Sequence, residues 1–218
     1  LCIIAHFLVL ALMEIALIAD LSASMQPQLA FMQACCRSLA ESAFAYGDTF
    51  SFYGVGQEAE PSPKVTKTRQ IGVIDDLLQH QPITWAKQVP NWLALIPFLP
   101  KQPALIFLLS DFYFALDELK PLLALLVQHE LVPLALSRSE DYEQLPDWGL
   151  WHLQDRETGQ QKTVLLYPGF NQKLRKAVLA RREHLRRFFS AFGAEALFLQ
   201  NAFKPDCVTE YFLQRQPI

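Results

Sequence analysis

Residues 104–109 read Ala-Leu-Ile-Phe-Leu-Leu, an unbroken apolar run closed by Pro103 on one side and Ser110-Asp111 on the other. A strand with one face in water alternates apolar with polar residues, whereas a strand with no polar residue must be covered on both faces. Two further short runs read the same way: 14–19, apolar from Ile15 onward, which ends at Asp20 before a serine-rich turn, and 131–136. Between such strands the apolar residues recur at helical spacing. In 28–46, for example, Leu29, Met32, Cys36, Leu39 and Ala43 share a face, and Gly47 ends the run as a C-terminal cap. Solid apolar strands alternating with amphipathic helices predict a three-layer, doubly wound α/β fold with a mostly parallel sheet.

The remaining elements follow from the same signals. Thr49–Val55 is a β-type run, and the segment holding Pro61, Pro63 and Lys64–Thr68 is a loop or a short edge hairpin. Helices are predicted over 71–78, 85–96, 116–129, 171–192 and 205–213, with a strand over 196–199. Residues 148–153 and 162–166 flank a polar turn around Asp155–Gly159, which reads as a β-hairpin appended to the main sheet. The 218 residues are expected to form a single domain, 1–218.

Residues 1–19 are apolar apart from His6 and Glu14, and they alone approach the roughly 20 residues that a transmembrane helix needs. A carboxylate near the middle of an isolated span costs on the order of 3 kcal/mol, and no basic flank orients the segment. Glu14 therefore favours buried extended segments, and no membrane span is expected. The chain begins at Leu1 without a methionine, as a piece of a longer protein would. Apolar residues make up 51% of the chain against 19% charged, a surplus that fully buried strands absorb and that excludes intrinsic disorder. The net charge of -3 gives no general attraction to nucleic acid. Cys2, Cys35, Cys36 and Cys207 form no CxxC pair and the histidines stand apart, so the spacing of a zinc site is missing. Free thiols used as small hydrophobes suit the cytoplasm, or the cytosolic domain of a membrane-anchored protein.

In an open parallel sheet, ligands bind beyond the carboxyl ends of the strands. Two ends stand out: Asp20-Leu21-Ser22-Ala23-Ser24-Met25 after the first strand, and Ser110-Asp111-Phe112 after the central one. Between them Thr84 lies in a loop ahead of a helix. Carboxylates and hydroxyls are hard oxygen donors suited to a small divalent cation, Mg²⁺ or Mn²⁺, with waters or a partner completing the shell. Three of the five donors are neutral, so a cation held there still seeks an external carboxylate. Taken alone, Asp-x-Ser-x-Ser is explained as well by Ser22 or Ser24 capping the next helix.

In context, Asp20, Ser22, Ser24, Thr84 and Asp111 resemble the metal-ion-dependent adhesion site of the von Willebrand factor A superfamily, in order and on the expected elements. Thr66 and Thr68 compete with Thr84 for the threonine position. A resemblance covering nearly the whole chain rests on Ile18–Met25, Gly47–Tyr53, Leu109–Phe112, Leu145–Gly149 and Asp155–Gly159. These segments look like the MoxR-associated domain-of-unknown-function branch of that superfamily. An upstream Arg- and Asp-Trp-rich signature of the branch has no counterpart here. The resemblance implies a bacterial protein-interaction module that presents a cation to an acidic residue of a partner. It also implies an adaptor working with a MoxR-type AAA+ ATPase in the assembly or maturation of other proteins. The alternatives are a scaffold whose metal site is vestigial and, less favoured, a metal-dependent hydrolase, for which no general base stands near Asp20 or Asp111.

Other features fit simpler roles. Lys173, Arg175, Lys176, Arg181, Arg182, Arg186 and Arg187 make one helix cationic, opposite an apolar stripe of Leu174, Val178, Leu185, Phe188 and Phe192. A solvated face explains this better than a nucleic-acid surface, because no stacking platform or groove-reading motif accompanies it. Gly54-Val55-Gly56 lacks the third glycine of a dinucleotide loop, and neither a nucleophile elbow nor a P-loop occurs. Asp155 and Glu157 suit a turn, and His152 suits an edge strand.

Overall fold

The computed structural model describes residues 13–56, 64–80, 90–137, 148–154 and 161–215. Strand β1 (Glu14–Asp20) runs between β2 (Thr49–Val55) and β4 (Leu105–Ser110), parallel to both. Beyond β4 lie β5 (Glu130–Ser137) and β8 (Leu197–Gln200), also parallel. At the other edge β3 (Lys64–Thr68) pairs antiparallel with β2, giving the order β3-β2-β1-β4-β5-β8. The hairpin of β6 (Gly149–Gln154) and β7 (Gln161–Leu166) forms a second, two-stranded sheet, as expected of an appendage.

The solid apolar runs are buried on both faces, and alternate residues serve different layers. Ile15, Leu17 and Ala19 of β1, with Leu105, Phe107 and Leu109 of β4, pack with α1 (Leu29–Ala45), Ile74 of α2 (Ile71–His80) and α5 (Pro205–Gln214). Ala16 and Ile18, with Ile106 and Leu108, pack on the other side with Trp92, α3 (Lys120–Leu126) and α4 (Pro168–Ser190). Cys35 and Cys36 are free and buried in the first layer, as packing residues. Burial pushes the Cys36 thiol up to about 12 and raises Cys35 well above its ordinary range. Gly47 takes φ +80° just after α1, which is the left-handed step expected of its capping role.

Glu14 ends up at the amino end of β1, where its carboxylate accepts the Ser51 hydroxyl at 2.6 Å and pairs with Lys67. Its charge is thus met within the sheet, by β2 and β3. No helix among the described residues is long and apolar enough to cross a membrane. The lead-in at residues 1–12 lies outside the described residues, as does the Asp155–Gly159 turn.

Two helix expectations are corrected. Residues 92–98 form a 3₁₀ helix rather than part of an α-helix over 85–96, and 85–89 lie outside the described residues. Trp92 and Leu95, three apart, point into the core, a spacing that 3₁₀ and α geometry share; Pro97 and Pro100 then prevent α-helical continuation. The single run 116–129 divides into a 3₁₀ turn (Leu116–Leu119) and α3, with Pro121 in the first turn of α3.

His129 follows α3 and is buried, its Nδ1 accepting the Ala104 N–H at 3.2 Å. Burial holds the imidazole below its ordinary 6.5, against the charge of Glu14, which pulls it up. The folded state therefore binds fewer protons than the unfolded state, and stability falls as pH drops below about 6.5. Urea unfolding of the wild type and of His129→Gln at pH 7.5 and 5.5 isolates this contribution, because groups common to both proteins cancel. Relative to the variant, the wild type should lose stability at pH 5.5, and an equal pH response in the two would remove His129 as its source.

Candidate functional site

The connection after β1 runs into α1 on one face of the sheet, and the connection after β4 runs into α3 on the other. Because β1 and β4 are neighbours, this divergence opens a crevice between their carboxyl ends, the topological switch point of the sheet. Ala19 pairs with Leu109, so Asp20 and Ser110 emerge side by side at that crevice.

Asp20 is fully buried and held by both oxygens. Its Oδ1 accepts the Ser22 N–H at 2.7 Å, which closes the turn, and its Oδ2 accepts the Ser110 hydroxyl at 2.6 Å. Ser110 Oγ in turn accepts the Phe112 N–H at 2.9 Å, so one hydroxyl ties both loops together. The Leu21 N–H donates to Val55 O at 2.8 Å, anchoring the first loop to β2.

Ser22 occupies the N-cap position of the 3₁₀ turn Ala23–Gln28, yet its side chain makes no capping bond. Its Oγ lies 3.0 Å from Ser24 Oγ instead. Capping therefore does not explain the Ser22 hydroxyl, although Asp20 does bond within the same turn, as that explanation required. Asp111 receives the Tyr113 N–H at 3.1 Å and a hydrogen bond from Ser24. Phe112 between them has φ +55°, a left-handed conformation costly for a bulky residue. It is held there by burial of its ring against Phe189, centroids 5.1 Å apart, and by Arg181 donating to its carbonyl.

Burial first, and the charge of Asp111 second, push Asp20 up to about 7 despite the bonds from Ser110 and Ser22. Burial likewise raises Asp111, against hydrogen bonds from Tyr113 and Ser24 and the nearby charge of Arg181. Two desolvated carboxylates flank a pair of hydroxyls, a donor set that favours a compact hard cation. Neighbouring oxygens of an octahedral shell at about 2.0–2.1 Å stand roughly 3 Å apart, which the serine pair matches. Among the described residues no three of His, Cys, Asp and Glu gather in one place, so a cation here would rest on hydroxyls as much as on carboxylates.

Of the five residues expected from the sequence, Asp20, Ser22, Ser24 and Asp111 converge, and Thr84 lies outside the described residues. Thr66 and Thr68 belong to the edge strand β3, opposite Phe52 and Phe50, and not to a loop. Sequence reasoning left out Ser110, whose role depends on strand register, and Arg181, which it counted among the solvated cations.

The profile of the family described as protein of unknown function DUF58 matches residues 5–185. An uncharacterized protein in the moxR 3' region of Paracoccus denitrificans is 35% identical over 95 residues, which cover 44% of this chain and 90% of that one. Among solved structures, an aerotolerance-related membrane protein from Bacteroides fragilis is similar at TM-score 0.52 with 14% identity, over 93% of this chain and 97% of that one. The conserved hypothetical protein BatB from Bacteroides thetaiotaomicron is similar at 0.50 with 11% identity, over 93% and 96%. At such identities the likeness shows the fold alone, a six-stranded, mostly parallel sheet in an α/β arrangement.

Proposed function

We propose, from the premise that this chain belongs to the DUF58 family, that it is a protein-interaction module whose crevice is a divalent-cation adhesion site. The observation that carries this reading is the convergence of Asp20, Ser22, Ser24 and Asp111 at the switch point, with the serine hydroxyls 3.0 Å apart. Thr84 is proposed as the fifth donor on the resemblance alone. A bound Mg²⁺ or Mn²⁺ would offer an open coordination position to a carboxylate of the partner.

The chain's own residues do the positioning. Asp20 fixes the Ser22 backbone, Ser110 joins the two loops, and Asp111 orients Ser24. Site rigidity comes from strands rather than from loops alone, which favours a preformed receptor for a partner's acidic side chain. The placement of the Paracoccus relative in the moxR 3' region supports an adaptor role beside a MoxR-type AAA+ ATPase, in the cytoplasm or on the cytosolic side of a membrane.

Calorimetric titration with Mg²⁺ and Mn²⁺ tests the site. Saturable heat is expected for the wild type and its loss for Ser22→Ala/Ser24→Ala; no heat, or equal heat from both proteins, would sink the cation reading. Capture of a MoxR-type ATPase is expected to weaken in chelator. Capture indifferent to chelator would favour a scaffold that docks through other surfaces, and metal-dependent hydrolysis lost on Asp111→Ala would favour an enzyme.

A further inference from the structure

We propose that the cleft under α4, next to the Asp111 loop, is a carboxylate-binding subsite, and that the partner engaging the cation site presents a second acidic residue to it. The proposal rests on the adhesion-site reading for its partner, but its own geometry is independent of a cation. The cleft lies between the Asp111 loop, the end of β5 at Ser137, Phe198 of β8, and Arg181 and Arg182 of α4. Its volume of ≈ 30 Å³ is far below the roughly 300–1,000 Å³ of a small-molecule pocket and suits only a head group.

Two guanidinium groups turn into this cleft instead of lying out in water, which corrects the expectation of a uniformly solvated cationic face. Arg186 and Arg187 of the same helix pair with Glu183. Arg181 and Arg182, both half-buried, form no ion pair among the described residues. Their donors are under-used. Arg181 Nη2 donates to Phe112 O, and Arg182 Nη2 reaches Ser137 Oγ only at 3.5 Å. The buried Nε–H of each meets no acceptor.

Buried polar groups without partners are uncommon, and paired guanidinium forks match a carboxylate's two oxygens. The ring of Phe198, with the guanidinium carbons of Arg182 and Arg186 at 5.5 and 4.9 Å from its centroid, supplies an apolar floor for the stem of a glutamate or aspartate. Asp111 borders both the cleft and the cation site, so the two positions are contiguous and one short acidic segment can occupy both. The same carboxylate repels an anion in the cleft when no cation offsets its charge. Binding in the cleft should therefore tighten with Mg²⁺.

The probe is an acetylated, amidated tetraglutamate peptide, titrated calorimetrically into the whole chain in Mg²⁺ and in chelator. Arg181→Gln/Arg182→Gln is expected to weaken binding by at least about tenfold, as removal of charge-assisted hydrogen bonds should. Direct Mg²⁺ binding should stay in place in Arg182→Gln, which leaves the Asp111 loop and its Arg181 contact intact. Arg175→Gln/Arg187→Gln, on the exposed part of the same helix, should change affinity less than about twofold. Arg182→Gln alone keeps the Arg181–Phe112 bond, so a partial loss there carries the test if the double variant fails to fold.

No peptide binding by the wild type, an unchanged affinity in the Arg181/Arg182 variants, or an equal loss in Arg175→Gln/Arg187→Gln would overturn the subsite. Displacement of the peptide by equimolar inorganic phosphate would overturn its preference for carboxylate. If the wild type binds the peptide equally with and without Mg²⁺ and binds no Mg²⁺ itself, the adhesion-site reading fails while Arg-dependent peptide binding keeps the subsite.

Discussion

Phe107→Ala is expected to lower the free energy of unfolding by about 3–5 kcal/mol, the range for truncating a buried aromatic side chain. Phe107 sits at the middle of β4 in the centre of the sheet, and its ring is buried in the layer shared with α1 and α5. The neighbours on that face are held by strands on both sides of β4, so they cannot collapse fully into the space vacated. Against a total stability of about 5–15 kcal/mol this is a severe loss, and at roughly 2–4 °C per kcal/mol it should bring the melting temperature down by about 6–20 °C. Urea unfolding with a fixed m-value measures it; a loss under about 1 kcal/mol would mean that the β4 layer is not packed as described. Phe107→Leu, which keeps most of the volume, should cost much less.

Saturating Mg²⁺ is expected to raise the melting temperature of the wild type by about 5–11 °C. A ligand that binds only the folded state, at 100 times its dissociation constant, contributes about 2.7 kcal/mol, and the same conversion to temperature applies. The source of the effect is the burial of Asp20 and Asp111 together, each held above its ordinary carboxylate range chiefly by desolvation. A divalent cation between them would turn an unfavourable pairing of charges into a favourable one. Ser22→Ala/Ser24→Ala should lose the shift, and chelator should reverse it in the wild type. A wild type that melts at the same temperature with and without Mg²⁺ and Mn²⁺ would dispose of the cation site in this chain.

The sheet was legible in the sequence because the inner stretches of its central strands carry no polar residue. The runs ending at Asp20, Ser110 and Ser137 could be covered only on both sides, and they are. The same logic led to Asp20, Ser22, Ser24 and Asp111, since residues just beyond such runs gather at one edge of a parallel sheet. Ser110 escaped notice because its hydroxyl meets Asp20 only through the pairing of Ala19 with Leu109, a register that composition does not encode. Arg181 and Arg182 were hidden by their neighbours: seven cations on one helix look alike until the strands beneath decide which of them turn inward. Residues 92–98 misled for a geometric reason, because apolar residues three apart satisfy two kinds of helix.

The divergence of the chain at β1 and β4 has a mechanical side. Asp20, Ser22 and Ser24 continue into the helix of one layer, while Asp111 leads towards the helices of the other. Whatever is grasped by both loops at once therefore fastens the two layers to each other across the top of the sheet. Occupancy of the crevice would act as a clasp, adding a second tie between the helical layers to the one that the shared sheet already provides.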